Sequence, residues 1–178
     1  MLEITRAVTE KQYQIVRELV AEYIAWDASE LRRLGRDPSA AFEFYFAPDN
    51  QALPGKYAPP DGCLLLALWS GEPAGCVAFQ RLTKQANELK RLYVRPHFRG
   101  KRVGRELVAA LISAAKAAGY GLMRLETVTY MEDAIALYSR FGFRSCPPYY
   151  AALQSFSDIS LFMELELTGG TSRVEGPS

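Results

Sequence analysis

One short segment constrains this chain more than any other. An apolar strand pattern ends at Val94, and a basic, glycine-bearing loop then leads into a helical pattern from Gly104. A turn between a strand and a helix start presents free backbone N–H groups and the positive end of the helix dipole. Cationic side chains gather there at Arg99, Lys101, Arg102 and Arg105. Because basic residues normally favour helix C-termini, this cluster predicts a site for an anion such as a pyrophosphate.

The same segment departs from two familiar nucleotide-binding patterns. It contains neither the G-x-x-x-x-G-K-[ST] loop nor the G-x-G-x-x-G fingerprint. Gly104 lacks a β-carbon, so we expect the backbone there to approach the ligand closely. The loop therefore predicts phosphate binding of another kind.

Hydrophobic periodicity predicts an alternation of strands and helices around this loop. The predicted strands cover 2–8, 63–69, 74–82, 87–94, 122–128 and 160–167. The predicted helices cover 10–26, 104–118 and 132–141, with a less regular helical stretch over 28–47. Segment 48–62 holds four prolines and two glycines and is predicted to be a long loop. A sheet with this many helices must be covered on both faces, which predicts a three-layer α/β domain.

Length and charge narrow the class of protein. The 178 residues suit one domain, expected at 1–167, with a Gly-, Ser- and Pro-rich tail at 168–178 that we expect to be disordered. The net charge of +1 gives no global attraction to nucleic acid or to an anionic membrane. The basic stretch 95–105 is compact and lacks interleaved stacking aromatics, which disfavours a nucleic-acid module.

Cysteine, histidine and the N-terminus add further expectations. His97 is the single histidine, and three widely spaced cysteines form no C-x-x-C pair, so we expect no metal site and no disulfide framework. The first six residues lack the basic start and apolar stretch of a signal peptide, and the longest apolar run, 63–69, is too short to span a bilayer. We therefore expect a cytoplasmic protein with no membrane partner.

Two motifs resemble the GNAT superfamily of N-acetyltransferases. The first is a strand ending in Val followed by [RQ]-x-x-G-x-[GA], and residues 88–104 read ELKRLYVRPHFRGKRVG. It departs from the family at Arg102, where glycine is most frequent. The second is A-x-x-L-Y-x-x-x-G-F, and residues 134–143 read AIALYSRFGF. Here Met131 stands where the family often has asparagine. The resemblance covers roughly residues 2–167.

The resemblance implies a fold and an acyl donor. The fold would be α/β (α+β) in three layers, with a mixed, mostly antiparallel sheet of six to seven strands and a splay between two parallel strands near 88–94 and 122–128. The donor would be acetyl-CoA, without a metal, with pantetheine in the splay and the pyrophosphate on residues 99–105. The implied cofactor-binding residues are Leu92, Tyr93, Val94, Arg99, Gly100, Lys101, Arg102, Val103, Gly104 and Arg105.

Acetyl transfer to an amine needs a neutral amine and a proton for the leaving thiolate. A lysine-like amine has a pKa of ~10.4, so a carboxylate can help to remove its proton. By resemblance Glu88 is the first candidate, and Glu126 on the other splayed strand is its rival. Tyr138 matches the family's general acid, although a tyrosine on an apolar helix face is also an ordinary core residue.

The acceptor site is expected between the first helices and the loop 48–62. The candidates to line it are Tyr23, Trp26 and Tyr57, with Tyr45 and Tyr149 beside them. The acceptor is a small-molecule or peptide amine of unspecified type, and a homodimer through the C-terminal strand or helix faces stays open. The alternative function is a non-catalytic acyl-CoA-binding or sensing domain on the same scaffold. The presence of both Glu88 and Tyr138 favours an enzyme.

Overall fold

The structure, a computed structural model, describes residues 1–47 and 52–168. The predictions for 48–51 and for the tail beyond 168 therefore lie outside the described residues. The strands are β1 Leu2–Arg6, β2 Cys63–Trp69, β3 Glu72–Arg81, β4 Ala86–Val94, β5 Leu122–Val128, β6 Arg144–Ser145 and β7 Ser160–Glu166. The helices are α1 Glu10–Arg33, α2 Pro38–Ala41, α3 Val103–Ala117 and α4 Glu132–Arg140. A π-helical turn, Phe42–Phe46, follows α2, and 3₁₀ turns occupy Gly55–Tyr57, Pro96–Phe98 and Gln154–Phe156.

The strands form one seven-stranded sheet in the order β1-β2-β3-β4-β5-β7-β6. Among the strands of the described residues, β4 and β5 alone pair in parallel, and the other neighbours are antiparallel. One face packs on α1 through apolar side chains that include Val16, Leu19 and Leu66. The other face packs on α3 and α4 through side chains that include Leu107 and Met123. The predicted three-layer fold with a mixed sheet is confirmed.

The first helix is longer than predicted. Thr9 caps it through a capping box with Gln12, as its position before an apolar stripe indicates. The predicted break near residue 27 is wrong, because α1 continues to Arg33 with Leu31 buried on the same stripe. No glycine or proline interrupts residues 10–34, so nothing in the backbone ends the helix earlier. The chain turns at Gly35, which has a φ of +71°. Strand β6 was not predicted, since two residues are too short for a periodic pattern.

A β-bulge in β4 changes which side chains face α1. Cys76 pairs with Tyr93 and Ala78 pairs with Lys90, so that Val77 alone faces two residues of β4. Arg91, the first of these two, has a left-handed φ of +59°. Because the bulge shifts the alternation of the strand, Lys90 and Arg91 both reach the α1 side of the sheet.

The parallel strands part soon after they meet. β4 and β5 pair at Ala86, Asn87 and Glu88, opposite residues 122–124, and at no later position of either strand. β5 continues to pair with β7 to its end, and β4 with β3. Within 1–47 and 52–168, the β5-facing edge of residues 89–94 therefore has no strand partner, as the resemblance implies. Among the described residues, no helix combines the length and apolarity needed to cross a membrane.

Candidate active site

The start of α3 is an uncapped helix N-terminus beside the end of β4. Arg102 is the N-cap residue, and its side chain makes no capping hydrogen bond. The first bond of the helix runs from the Glu106 N–H to the Arg102 carbonyl at 3.0 Å. Among the described residues, the N–H groups of 103–105 meet no acceptor. Such N–H groups, at the positive end of the helix dipole, suit phosphate oxygens.

Two residues of this loop explain the family pattern differently. Arg102 has a φ of +64°, the left-handed region that glycine adopts most readily. Glycine at this position in the family therefore answers a backbone requirement. Gly104 has no such φ, and a β-carbon on it would lie 3.5 Å from Leu137 and 3.6 Å from Val94, which is ordinary contact. The protein itself thus tolerates a side chain at Gly104, so any need for glycine there must come from a ligand.

The predicted cationic side chains point in different directions. The Nε of Arg99 donates to the Val94 carbonyl at 3.2 Å, and its guanidinium lies 5.9 Å from the ring centre of Trp26 on α1. The Nζ of Lys101 lies 5.3 Å from the ring centre of Trp69, and Arg105 pairs with Glu106 at 2.7 Å. Arg99, Lys101 and Arg105, three of the four predicted cations, therefore do not converge on one point.

Arg95, which the sequence did not single out, fixes the loop to the first helix. Its Nη2 lies 2.7 Å from Oε1 of Glu22 on α1, and its Nη1 donates to the Pro73 carbonyl at 2.9 Å. The hydrogen bonds to Glu22 raise the pKa of the Arg95 guanidinium. Arg95 thus has a structural role, because it holds the loop against α1 and β3.

A cavity of about 90 Å³ lies on the α1 side of the parted strands. Its aromatic walls are Tyr23, Tyr45, Phe46, Tyr130 and Phe156. Its charged residues are Asp27, Lys90, Arg91 and Glu126. Helix α1, the π-helical turn, β4 and β5 thus meet around one concave space with aromatic walls and a few charged groups, the form of a small-molecule site.

Glu88 is the more buried of the two predicted bases. Its side chain has 2% exposure and accepts hydrogen bonds from Tyr149 Oη and Gln80 Nε2, both at 2.8 Å. The Nζ of Lys90 lies 3.3 Å from Oε1. Burial lowers the pKa of Lys90, and Glu88 opposes that shift. Lys90 lines the cavity, whereas Glu88 is not among the described residues that line it.

Glu126 does line the cavity, and hydroxyl groups surround its carboxylate. Tyr45 donates to Oε1 at 2.9 Å and Ser160 donates to the same oxygen at 2.8 Å. Tyr150 donates to Oε2. Burial, with Glu126 next, raises the pKa of Tyr45 to about 12, so this hydroxyl stays protonated and remains a donor at neutral pH.

Tyr138 lies on the α4 side of the sheet with an unused hydroxyl group. The residue has 5% exposure and its ring lies 5.6 Å from that of Phe143. No hydrogen bond of its hydroxyl group joins it to a described residue. Burial raises its pKa. The pKa of Tyr23, on the α1 side, is also raised, chiefly by burial and then by the nearby Asp27, Tyr138 and Glu126. The positive charge of Arg91 lowers it in part.

Met131, the second departure from the family pattern, lines the cavity. The hydroxyls of Tyr23 and Thr127 lie 3.8 Å and 3.6 Å from its sulfur atom. Met131 is also the N-cap residue of α4 and makes no side-chain cap. A weakly accepting thioether thus occupies the place where the family often has an amide.

The predicted acceptor-site aromatics separate into two groups. Trp26 stacks on Tyr23 at 6.3 Å and lies 6.4 Å from the ring of Tyr130, so it backs the cavity wall. Tyr57 has 2% exposure, packs among α1 and β2, and lines a different, smaller space with Val16. The structure thus does not bring Tyr57 to the cavity, because the turn at Gly55–Tyr57 folds its ring under α1.

Sequence reasoning missed Asp27 and Tyr130. Asp27 has 7% exposure, and its Oδ1 accepts a hydrogen bond from Tyr130 Oη at 2.6 Å. Burial raises the pKa of Asp27, and the bond from Tyr130 opposes it. One signal was available: Asp27 follows Tyr23 by four residues and precedes the buried Leu31 by four, so it interrupts an apolar helical stripe.

The protein is thus a three-layer α/β protein in which two parallel strands part beside an uncapped helix start. Residues 17–143 match the acetyltransferase (GNAT) family, and the chain belongs to that family. It is 41% identical over 97 residues to an uncharacterised N-acetyltransferase of Schizosaccharomyces pombe, covering 53% of this chain and 60% of that protein. It is 38% identical over 111 residues to an IAA acetyltransferase of Azospirillum brasilense, covering 62% and 71%. The chain thus spans less than two thirds of the length of the S. pombe relative.

A solved structure agrees with the fold. The PaiA N-acetyltransferase of Thermoplasma acidophilum, in complex with coenzyme A, superposes with a TM-score of 0.71 at 18% identity. The match covers 93% of this chain and 99% of that one. At this identity the likeness supports the fold assignment.

Proposed function

We propose that this chain is an N-acetyltransferase that moves an acetyl group from acetyl-CoA to a primary amine of a small molecule or peptide. The observation that carries the proposal is the uncapped start of α3 beside the unpaired edge of β4, with an amine-sized cavity on the same gap. Relatives named as acetyltransferases and a coenzyme A complex of similar fold support the choice of donor.

The donor lies along β4 and over the helix start. Backbone groups of Leu92 and Val94 on the unpaired edge hydrogen-bond the pantetheine, as a further strand would. The N–H groups of 103–105 bind pyrophosphate oxygens, and Arg99 contributes charge from the α1 side. No step requires a metal.

The reaction is a direct transfer. The neutral amine nitrogen forms a bond to the thioester carbonyl carbon, and the carbon–sulfur bond breaks with its electron pair leaving on sulfur. Tyr138 gives its hydroxyl proton to the thiolate and regains one from the amine, directly or through water. Glu126 is favoured over Glu88 as the base because it lines the cavity, and its bound hydroxyls could relay the proton.

The test is CoA release from acetyl-CoA across a panel of primary amines. Tyr138→Phe should lower kcat by about 100-fold or more with little change in KM, as expected for a lost general acid. Tyr120→Phe is the matched control, because its buried hydroxyl donates to the Asp61 carbonyl at 2.8 Å in another part of the fold. An unchanged kcat in Tyr138→Phe would remove the acid role.

The two glutamates are compared in the same assay. Glu126→Gln should reduce kcat more than Glu88→Gln, and the reverse order would return the base to Glu88. The alternative function, a non-catalytic acyl-CoA-binding domain, makes a different prediction. In that case acetyl-CoA binds in calorimetry and no amine in the panel releases CoA.

A further inference from the structure

Asp27 is a buried carboxylate without a cation. Its side chain pairs with no Lys or Arg among the described residues, and its one hydrogen-bond donor, Tyr130, occupies Oδ1. Oδ2 accepts nothing from the described part of the chain. A buried carboxylate left in this state is costly, whereas one that meets a cation is not.

The other carboxylates of the region are already satisfied. Glu88 has three donors including Lys90, and Glu126 has three hydroxyl donors. Asp27 is the one of the three whose second oxygen remains available to a ligand. Since it lines the cavity, that ligand would share the space with the acceptor.

The surroundings of Asp27 favour an ammonium group. Tyr23 lies one helical turn before it on the same face, and the rings of Tyr130 and Phe46 also line the space. Aromatic faces attract cations through their quadrupole, and a carboxylate adds direct charge. The two cations of the cavity are already engaged, since Lys90 pairs with Glu88 at 3.3 Å and Arg91 donates to the Tyr45 carbonyl at 2.7 Å. A ligand carboxylate would therefore meet mainly the negative charges of Asp27 and Glu126.

A second space continues outward from the same residue. An open groove of about 300 Å³ between α1 and α2 is lined by Asp27 and Phe46, which also line the cavity. Its apolar walls are completed by Ile24, Ala28, Pro38 and the partly exposed Phe42, and the exposed Arg32, Ser39 and Glu43 also line it. Asp27 thus lies where the cavity meets a groove that offers an apolar surface beside solvated polar side chains.

We infer that Asp27 and the aromatic rings around it form the acceptor subsite, which takes a primary ammonium group on an uncharged, apolar body lying in the groove. Binding of the ammonium group does not depend on the proposed function, but the acetylation of the bound amine does. Asp27 Oδ2 holds the ammonium, which gives one proton to Glu126, the base of the proposed function on the same cavity, and Glu126 passes that proton to solvent. The resulting neutral amine keeps one proton in the amide and supplies one for the thiol.

Calorimetric titration of the full chain tests the subsite without requiring turnover. The probe is 2-phenylethylamine, which is a cation at pH 7. Asp27→Asn keeps the side-chain shape and should weaken binding by roughly tenfold or more, as for a lost charged hydrogen bond. Glu18→Gln is the matched control, the same chemical change at an exposed position of α1. Thermal unfolding of each variant verifies that it is folded.

Three further measurements separate charge from packing. Tyr130→Phe keeps the carboxylate and the ring, so it should weaken binding less than Asp27→Asn. The neutral analogue 2-phenylethanol should bind wild type and Asp27→Asn equally. Phenylalanine, which adds a carboxylate, should bind wild type more weakly than 2-phenylethylamine.

The outcomes distinguish the subsite from the activity. Equal affinity of wild type and Asp27→Asn for the amine overturns the subsite, as does tighter binding of phenylalanine, even where CoA release demonstrates acetyl transfer. Loss of amine binding in Asp27→Asn supports the subsite. If neither the bound amine nor any other amine of the panel then releases CoA from acetyl-CoA, the proposed function fails while the subsite stands.

Discussion

Gly75 on β3 lies directly against the backbone of Tyr93 on β4. A β-carbon on Gly75 would lie 2.4 Å from the carbonyl oxygen of Tyr93, which is backbone and cannot swing away. Tyr93 directly follows the bulge at Arg91 and Leu92. The glycine therefore permits the bulge, and the bulge sets the course of β4 into the gap.

Gly75→Ala should destabilise the protein by about 1–3 kcal/mol, because the strands must move apart to admit the methyl group. Urea denaturation measures the change in the free energy of unfolding. Gly121→Ala is the control, since its β-carbon would lie 3.5 Å from Thr168, which is ordinary contact. Equal stability of Gly75→Ala and wild type would contradict the close approach.

Gly104→Ala should separate stability from donor binding. The added methyl group fits against Leu137 and Val94, and alanine favours a helix over glycine by about 0.5–1 kcal/mol, so the free energy of unfolding should hold or rise. The affinity for acetyl-CoA should fall, because the methyl group enters the space of the phosphates. Calorimetric titration with acetyl-CoA measures this affinity. An undiminished affinity would show that the backbone at Gly104 does not approach the ligand.

Arg102→Gly should raise the free energy of unfolding by up to about 1 kcal/mol, since it relieves a left-handed side-chain conformation. Arg105→Gly is the matched comparison. Its position lies within the right-handed first turn of α3, so the same substitution should lower stability by about 1 kcal/mol. A loss of stability in Arg102→Gly similar to that in Arg105→Gly would mean that Arg102 makes stabilising contacts that outweigh its backbone strain.

Asp27 should make stability depend on pH in acid. Burial, opposed by Tyr130, raises its folded-state pKa above the ordinary 3.8. The protonated Asp27 side chain therefore adds to the free energy of unfolding. This stabilisation is fully present below pH 3.8 and is lost as the pH rises through the folded-state pKa. The asparagine of Asp27→Asn does not titrate, so the free energy of unfolding of this variant minus that of wild type should increase between pH 3.8 and the folded-state pKa and then stay constant. Denaturation of both proteins at a series of pH values measures the difference, and a constant difference would be the contrary result.

Local signals carried most of the fold. Thr9 and Gln12 lie within one turn, and the run from Val94 to Gly104 contains its own strand end, loop and helix start, so both could be interpreted from neighbouring residues. The α1 end was harder, because the buried Asp27 resembles a break in the apolar stripe. It is instead held by Tyr130, a residue 103 positions later.

The site depended on distant contacts that spacing does not encode. The bulge at Arg91 arises from pairing with β3, and it alone places Lys90 and Arg91 on one side. Tyr57 is buried because its turn packs under α1, which no pattern within 53–57 indicates. Tyr138, by contrast, could be selected from its motif, and its unused hydroxyl is consistent with that selection.

The carboxylate of Glu126 has a consequence for how the cavity comes into being. Its three donors arrive from the π-helical turn, from the stretch before β7 and from β7 itself, over sequence separations of 81, 24 and 34 residues. Contacts between segments so far apart form only after the chain has paid the entropy of closing those loops. The contact from Tyr45 spans more of the chain than any strand pairing of the sheet, so this wall of the cavity should form late in folding and open early in unfolding. Amide hydrogen exchange near Tyr45 would then report the loss of the proposed acceptor site before the sheet itself unfolds.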